Sequence, residues 1–153
     1  MTTTALTLDE IYTLAKKTLL HNGCDEMNAE AVSNTVTFAE RDGSVSHGLF
    51  RIPGYTASLR SKKVKGNARP SNKFLTQNTM RVDGDFGFAP TAIHVGMPSL
   101  IETANKYGVG VLTITNTHHF AALWHETEAL AEQNLIGIAC TAYMPSVAPA
   151  GAT

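Results

Sequence analysis

The order of the apolar segments between residues 90 and 141 constrains the fold more than any other feature of this sequence. Residues 90–107 and 121–134 carry apolar side chains at helical spacing. Each is followed by a short apolar run, 111–115 or 136–141, that predicts a strand, and the first of these strands is predicted to be buried. Helices that alternate with strands are typical of α/β sheets, so this region predicts an α/β fold.

Two helices are predicted near the N-terminus. Thr7 and Glu10 fit a capping box, in which each side chain accepts a hydrogen bond from the backbone of the other residue. That helix is predicted to end at Gly23, which suits the left-handed position after a helix. A second helix is predicted from the residue after Asp25 to about Arg41, with an apolar stripe that consists of Ala29, Val32, Val36 and Ala39.

A third helix and a hairpin complete the predicted elements. Ser46 is a good N-cap for a helix, but Pro53 removes one backbone N–H, which predicts a bend or a later start. Two short runs, 73–76 and 79–83, predict a β-hairpin joined by a two-residue turn. These patterns predict a helical N-terminal part that precedes the α/β region.

Four polar side chains of different chemistry lie within ten residues: Ser46, His47, Arg51 and Tyr55. The last three are spaced four apart, which would place them on one side of a helix. An imidazole that can move a proton, beside a guanidinium that can hold a carboxylate, indicates a site that acts on a small acid. Polar residues at this spacing are also common on solvated helix faces, and the spacing by itself favours that alternative.

A second group of polar residues follows the predicted strand 111–115. Loops after strands are favoured positions for sites in α/β sheets, and His119 is the best candidate there for a ligand contact. His118 is adjacent to His119, and His125 is six residues further on, which is not the spacing of a helical zinc site. We therefore predict no metal site, although a small metal-binding protein built on these three histidines is an alternative.

Composition and cysteine usage narrow the function classes. The net charge is −1 and the main basic run is only residues 60–63, so nucleic acid is not a predicted partner. No apolar run approaches the ~20 residues of a membrane span, and no secretory signal is evident, which predicts no membrane contact and a cytoplasmic location. Cys24 and Cys140 are far apart and are predicted to be reduced thiols.

Gly108 and Gly110 precede a predicted strand. The glycines of a Rossmann dinucleotide-binding motif follow a strand, so this pair argues against a Rossmann fold.

The motifs at both polar clusters resemble those of one family. Ser46-His47-Gly48, followed by Arg51 and Tyr55, resembles the N-terminal signature of the type-2 malate/L-lactate dehydrogenase family. Residues 116–121 are similar to the Asn-Ser-x-His-x-Gly stretch of that family. The two motifs occur in the family's order, so the resemblance extends over most of the chain.

Four further segments support this resemblance. The patterns at residues 83–87 and 141–149 also match the family. Within the family, residues 119–124 and 147–151 look most like the branch of Δ1-piperideine-2-carboxylate/Δ1-pyrroline-2-carboxylate reductases. The resemblance therefore points to one branch of the family as well as to the family itself.

The resemblance implies roles for individual residues. Ser46 and His47 match the catalytic pair that handles the proton, and Arg51 matches the residue that holds the substrate carboxylate. Thr141 is implied to contact the substrate. Tyr55 is expected to line the substrate pocket, and packing of its ring with only a polar tip exposed is the alternative. The implied cofactor contacts are His119, Phe120, Ala121, Ala122 and Leu123.

The resemblance also implies an activity. It is the NAD(P)H-dependent reduction of a cyclic imino acid, Δ1-pyrroline-2-carboxylate or Δ1-piperideine-2-carboxylate, to the L-amino acid. The implied fold is a non-Rossmann α/β fold similar to that of L-sulfolactate dehydrogenase, in homodimers whose sites lie near the subunit interface. A malate- or lactate-type 2-hydroxy acid dehydrogenase is the alternative activity. The choice between NADPH and NADH stays open.

Members of the family are about twice as long as this chain. Residues 1–70 are therefore expected to form a helical substrate-side segment, and residues 71–153 the first part of an incomplete α/β cofactor-binding domain. The rest of the site is expected from sequence beyond Thr153 or from a C-terminal half chain. The chain alone could then be inactive, and a non-catalytic fragment or interaction module is the second alternative.

Overall fold

The structure is a computed structural model that describes residues 4–142. The part of the chain described comprises five α-helices, one 3₁₀ helix and three strands. In chain order these are α1 (Leu8–His21), α2 (Glu26–Arg41), the 3₁₀ helix (Leu49–Arg51), α3 (Ile52–Arg60), β1 (Ser71–Phe74), β2 (Thr79–Asp83), α4 (Ala89–Tyr107), β3 (Val111–Thr115) and α5 (Leu123–Ala131). The sequence pattern at residues 147–151 lies outside the described residues.

The first two helices confirm the sequence-based predictions, because their end signals are local. Thr7 Oγ1 accepts a hydrogen bond from the Glu10 N–H at 3.2 Å, and the Glu10 carboxylate accepts one from the Thr7 N–H at 2.7 Å. Asp25 caps α2 in the same way through the N–H of Asn28. The predicted apolar stripe of α2 is buried throughout.

The core lies between α1, α2 and α3, with one aromatic side chain from the residue before α4. Leu19 of α1 and Val36 of α2 are almost completely buried there. The ring of Tyr55 packs on that of Phe88 with centroids 5.0 Å apart. Tyr55 is thus a core residue as well as a predicted site residue, and only its hydroxyl is available for polar contacts.

The prediction of a third helix capped by Ser46 is wrong. Residues 45–48 form turns, and α3 begins only at Ile52, with Pro53 in its first turn. Proline is tolerated at that position because the N–H that it lacks would have no partner inside the helix. His47 therefore lies before the helix, and it does not share a helical face with Arg51 and Tyr55.

The three strands form one mixed sheet in the order β1-β2-β3, which confirms the predicted α/β class. β1 pairs with β2 antiparallel, and β2 pairs with β3 parallel. Helix α4 covers the face that carries Met80 and Val82, and Gly96 permits this approach because a Cβ there would press against Leu112 and Val82. The hairpin turn has four residues instead of the predicted two, since Leu75 and Thr76 both donate to the Thr79 carbonyl.

Three further predictions of the second half need correction. β3 alternates between exposed and half-buried residues, so it is not a buried strand. Residues 136–141 form no strand: Ile136 is 98% exposed and Ile138 is 92% exposed. A strand needs a neighbour to satisfy its backbone groups, and none of the described residues pairs with this run. Helix α5 covers Leu123–Ala131 instead of 121–134 because Ala121 and Asn134 have positive φ angles.

One carboxylate oxygen is buried without a hydrogen-bond partner among the described residues, between α2, α4 and α5. A groove of about 170 Å³ separates these helices, and Glu126 and His125 line it on the α5 side. Glu126 Oε2 is buried and accepts no hydrogen bond from the described residues. Burial raises the pKa of Glu126 to about 7, an effect that its own backbone N–H partly offsets.

Glu126→Gln is expected to stabilise the protein at pH 8 but not at pH 4. The folded protein holds the Glu126 proton more tightly than the unfolded chain, so its stabilising contribution is complete below the ordinary pKa of 4.5 and is lost as the pH rises to about 7. Because water reaches part of the side chain, we expect a gain of only about 1 kcal/mol, or roughly 2–4 °C in Tm. Thermal unfolding at both pH values checks this, with the exposed Glu132→Gln as control; equal Tm shifts at both pH values would contradict the burial of the carboxyl group.

No helix among residues 4–142 is both long enough and apolar enough to cross a membrane.

Candidate functional site

The two polar clusters of the sequence meet in the structure. Tyr55 on α3 lies with its hydroxyl oxygen 3.1 Å from Nδ1 of His119, in the loop after β3. The rings of His47 and Trp124 contact each other at a centroid distance of 5.9 Å. Thr141 has an exposed side chain in a stretch without regular structure, and within residues 4–142 its hydroxyl donates to the Ala142 carbonyl. The described contacts thus join the two polar clusters, and none of the described hydrogen bonds links Thr141 to either cluster.

The loop that carries Ser46 and His47 is built from the end of α2. The N–H of Ser44 donates to the Ala39 carbonyl at 2.8 Å, and that of His47 donates to the Ser44 carbonyl at 2.8 Å. The Glu40 carboxylate then accepts the N–H of Leu49 at 2.6 Å, which satisfies a free donor at the start of the 3₁₀ helix. Glu40 and Ser44 are not among the predicted site residues, because nothing in the local pattern shows that the end of α2 contacts this loop.

Gly48→Ala is expected to loosen this loop. A Cβ at residue 48 would overlap the Glu40 carboxyl group and displace it from the Leu49 N–H. The loss of a charge-assisted hydrogen bond predicts a destabilisation of about 1.5–3 kcal/mol. Thermal unfolding checks this, and Gly54→Ala is the matched control, because a Cβ in α3 meets nothing within 4 Å. If Gly48→Ala unfolded at the same temperature as Gly54→Ala, the Glu40 contact would have no structural role.

His47 is held on one side of its ring by two hydroxyl groups. Ser46 Oγ lies 2.8 Å from Nδ1, and Ser44 Oγ lies 3.3 Å from the same nitrogen. Nε2 makes no hydrogen bond to the described residues, so it is the ring nitrogen available to a ligand. Burial lowers the pKa of His47, and the positive charge of Arg51 lowers it further.

Arg51 is anchored by one nitrogen and leaves the others free. Its Nε donates to the Ser46 carbonyl oxygen at 2.6 Å. No other hydrogen bond or ion pair of the Arg51 guanidinium is present within residues 4–142. The fork is therefore oriented beside Ser46 and His47, and its terminal nitrogens have the geometry to hold a carboxylate.

The geometry around His119 defines which of its nitrogens carries the proton. The N–H of Ala121 points at Nδ1 with a separation of 3.1 Å, and a backbone N–H can only donate. Nδ1 is therefore unprotonated, the Tyr55 hydroxyl donates to it, and Nε2 carries the hydrogen. Burial is the main cause that lowers the pKa of His119 to about 4, with Arg51, His118 and His47 as lesser causes, so the ring is a neutral donor at pH 7.

The segment from His119 to Leu123 has a compact, kinked backbone. His119 and Ala121 both have left-handed φ angles, of 51° and 59°, which turn the chain sharply before α5 begins. Ala121 and Ala122 are buried. The ring of Phe120 lies parallel to that of His119, with an angle of 6° between the planes and centroids 5.8 Å apart. This segment presents an imidazole N–H donor beside a flat aromatic surface.

The histidines of this region have separate partners. His118 Nε2 lies 3.4 Å from the Ser58 hydroxyl, and the ring of His125 packs on that of Phe38. No group of three histidine, cysteine or acidic side chains among residues 4–142 is placed to hold a metal ion.

Comparison with known proteins identifies the family. The sequence model for malate/L-lactate dehydrogenase matches residues 6–153. Δ1-pyrroline-2-carboxylate reductase from Ancylobacter novellus is 40% identical over 148 residues, which are 97% of this chain and 43% of that protein. Among solved structures, Δ1-piperideine-2-carboxylate reductase from Pseudomonas syringae pv. tomato superposes with a TM-score of 0.82 at 38% identity, over 86% of this chain and 40% of that one.

The fold resemblance extends further. Sulfolactate dehydrogenase from Methanocaldococcus jannaschii superposes with a TM-score of 0.76 at 26% identity, over 84% of this chain and 38% of that one, which confirms the predicted type of α/β fold. This chain thus spans less than half the length of the relatives it matches. Because the family match covers residues 6–153 and solved relatives share the fold, the chain belongs to the malate/L-lactate dehydrogenase family.

Proposed function

We propose that this chain is part of an NAD(P)H-dependent reductase of cyclic imino acids. The substrate would be Δ1-pyrroline-2-carboxylate or Δ1-piperideine-2-carboxylate, and the product the corresponding L-amino acid. The observation that carries the proposal is the loop that holds the His47 imidazole, two hydroxyl groups and the partly free Arg51 fork together. The reductases among its relatives support the choice of substrate.

His47 would supply the proton of the reaction. The nicotinamide group, when bound, supplies a hydride to the imine carbon. The imine nitrogen then needs a proton, and the protonated His47 would donate it from Nε2, the nitrogen with no partner among the described residues. Ser46 and Ser44 would hold the opposite nitrogen and keep the ring oriented throughout.

Arg51 would hold the substrate carboxylate and also influence His47. A carboxylate bound to the guanidinium fork is fixed by two parallel hydrogen bonds, which orients the adjacent carbon. Its negative charge would also offset the charge of Arg51, which lowers the pKa of His47 in the free protein. Substrate binding would therefore favour the protonated form of His47 at the moment when a proton is needed.

The segment from His119 to Leu123 would contact the cofactor. Its donor set fits a group with acceptor oxygens, because the N–H at Nε2 of His119 is fixed by the Tyr55 and Ala121 contacts. Phe120 would add an aromatic surface to this segment, where its ring lies parallel to that of His119. We propose NADPH as the cofactor on the basis of the resemblance, with NADH as the alternative.

The remaining roles are also proposals. Tyr55 and Thr141 would contact the substrate, residues 1–70 would form the substrate-side segment, and residues 71–153 would begin the cofactor-binding domain. The complete protein would be a cytoplasmic homodimer, and its further length, or a C-terminal half chain, would supply the rest of the site. The length of the relatives supports this last point, since this chain covers 43% of a related reductase.

A second candidate is a 2-hydroxy acid dehydrogenase of the malate or lactate type. The sulfolactate dehydrogenase relative favours it. The same residues would serve, because a keto acid also carries a carboxylate next to the carbon that is reduced, and its oxygen needs a proton.

An assay of the complete protein separates these activities. We expect NADPH oxidation with Δ1-pyrroline-2-carboxylate to be faster than with keto acids, and faster than NADH oxidation. Turnover confined to malate or lactate would favour the second candidate. Failure of all substrates, together with no nucleotide binding by fluorescence, would leave a non-catalytic fragment or interaction module as the better interpretation.

A further inference from the structure

Trp124 is the only tryptophan of the chain and directly follows the segment from His119 to Leu123. Its ring stands at 79° to that of His47, with centroids 5.9 Å apart. Its indole N–H donates to Asp42 Oδ2 at 2.8 Å. This side chain at the start of α5 thus contacts both His47 and Asp42, the residue that ends α2.

The acceptor of the Trp124 hydrogen bond is itself held in place. Arg41 binds both carboxylate oxygens of Asp42, at 2.7 Å through Nε and at 3.1 Å through Nη2. The same Nη2 also binds Glu128 on α5 at 2.6 and 2.7 Å. Arg41 first and Trp124 second lower the pKa of Asp42, so the acceptor is charged at neutral pH. The indole is therefore oriented by a chain of charged contacts that ties α2 to α5.

We propose that Trp124 is a positioning residue for His47. The hydroxyls of Ser44 and Ser46 fix one edge of the imidazole, and the indole is the remaining ring that packs on it. Two edge contacts alone leave the ring free to tilt, whereas an aromatic contact nearly perpendicular to its plane opposes that tilt. The inference rests on the proposed function only in taking His47 as the proton donor.

Trp124 also connects His47 with the segment that is proposed to contact the cofactor. No residue separates it from the segment proposed to contact the cofactor, so a shift of that segment moves the indole. A shift of the indole in turn changes the surroundings of His47.

The contact can be tested by fluorescence in the 153-residue chain, without substrate. A protonated imidazole quenches an indole that it touches, so Trp124 emission is expected to rise with pH as His47 loses its proton.

Control variants separate His47 from its neighbours. The other charged or titratable groups around the pair are Arg41, Asp42, Arg51, His119, His125 and Glu128. We expect the transition to vanish in His47→Asn and to persist in His125→Asn and in His21→Asn, whose residue is exposed at the end of α1. A transition that persists in His47→Asn would overturn the contact.

The positioning role is tested in the complete enzyme. Trp124→Leu is expected to lower kcat by about 10-fold to 100-fold, because small errors in the position of a catalytic group are costly, while the KM for the carboxylate substrate stays nearly constant. Trp124→Phe keeps a ring but loses the bond to Asp42, and Asp42→Asn keeps the ring and an oxygen acceptor; both are expected to lower kcat less and to shift the pH midpoint of kcat. Tyr107→Phe, an exposed aromatic at the end of α4, is the control.

A wild-type kcat with a wild-type pH midpoint in a folded Trp124→Leu enzyme would overturn the proposal. If the complete protein turned over none of the substrates, the proposed function would fail. The fluorescence transition would then decide the Trp124–His47 contact on its own.

Discussion

Replacing His47 with alanine in the complete protein is expected to abolish turnover, with a loss of about 100-fold to 10,000-fold, and to leave the fold intact. Among the described residues, the imidazole is the group with a free nitrogen beside the Arg51 fork, and imidazole is the side chain best suited to deliver a proton near neutral pH. The fold should survive because His47 lies in a surface turn between α2 and the 3₁₀ helix, outside the core.

The measurement combines initial rates with thermal unfolding. His21→Ala, at an exposed position at the end of α1, removes a histidine outside the site and should leave both quantities unchanged. Near-normal turnover in His47→Ala would remove this residue from the proton-donating role. Loss of turnover together with a large fall in Tm would instead show that the side chain acts through the fold.

The pH profile gives a second measure of the same residue. The proposed reduction would require the protonated imidazole, so the rate should fall as the pH rises through the pKa of His47. Burial and Arg51 place that pKa below the ordinary 6.5 in the free protein, and this value governs kcat/KM. A bound carboxylate offsets Arg51, so the midpoint for kcat should lie at higher pH than that for kcat/KM.

The first two helices were predictable because their start signals are local. Thr7 with Glu10, and Asp25 with Asn28, define helix starts through contacts between residues three apart in sequence. Strand prediction failed where a neighbour was needed: residues 136–141 have an apolar strand pattern, yet no described residue pairs with them. The local sequence pattern therefore predicts a helix well, because a helix makes its backbone hydrogen bonds within its own segment. It predicts a strand less well, because a strand makes its backbone hydrogen bonds with another strand.

In the candidate site, too, residue identities were predicted from local motifs, whereas the contacts between distant residues were not. The sequence motifs predict Ser46, His47 and Arg51 as site residues. The single helical face expected for His47, Arg51 and Tyr55 is absent, because α3 begins only at Ile52, with Pro53 in its first turn. The contact of Tyr55 with His119 depends on left-handed φ angles in the loop after β3, at residues that are not glycine. No propensity predicts those angles.

Long-range contacts within the site were also beyond prediction. Glu40 caps the 3₁₀ helix from nine residues away, and Asp42 binds Trp124 from 82 residues away. Neither acidic residue belongs to a motif. Their roles follow from the way in which the end of α2 faces both the loop of His47 and the start of α5.

Arg51→Lys in the complete protein is expected to raise the KM for the carboxylate substrate by about 10-fold to 100-fold, which corresponds to the loss of one charge-assisted hydrogen bond. Arginine can keep its Nε bond to the Ser46 carbonyl at 2.6 Å and still offer two terminal nitrogens to a carboxylate. Lysine has a single nitrogen, so it has to give up either the anchor or the second contact with the substrate.

The matched control is Arg60→Lys, in which an exposed arginine of α3 likewise holds a single oxygen, Asn22 Oδ1 at 2.8 Å, away from the site. Its KM should equal that of the wild type, and an unchanged KM in Arg51→Lys would exclude Arg51 from the carboxylate role.

The positive charge of Arg51 can be tested separately from its hydrogen bonds. Arg51→Lys keeps the positive charge that lowers the pKa of His47, whereas Arg51→Met removes it, so only Arg51→Met should move the midpoint of kcat/KM to higher pH. A KM effect in both variants with a pH shift in one would assign to Arg51 both the binding of the substrate and the control of His47 protonation.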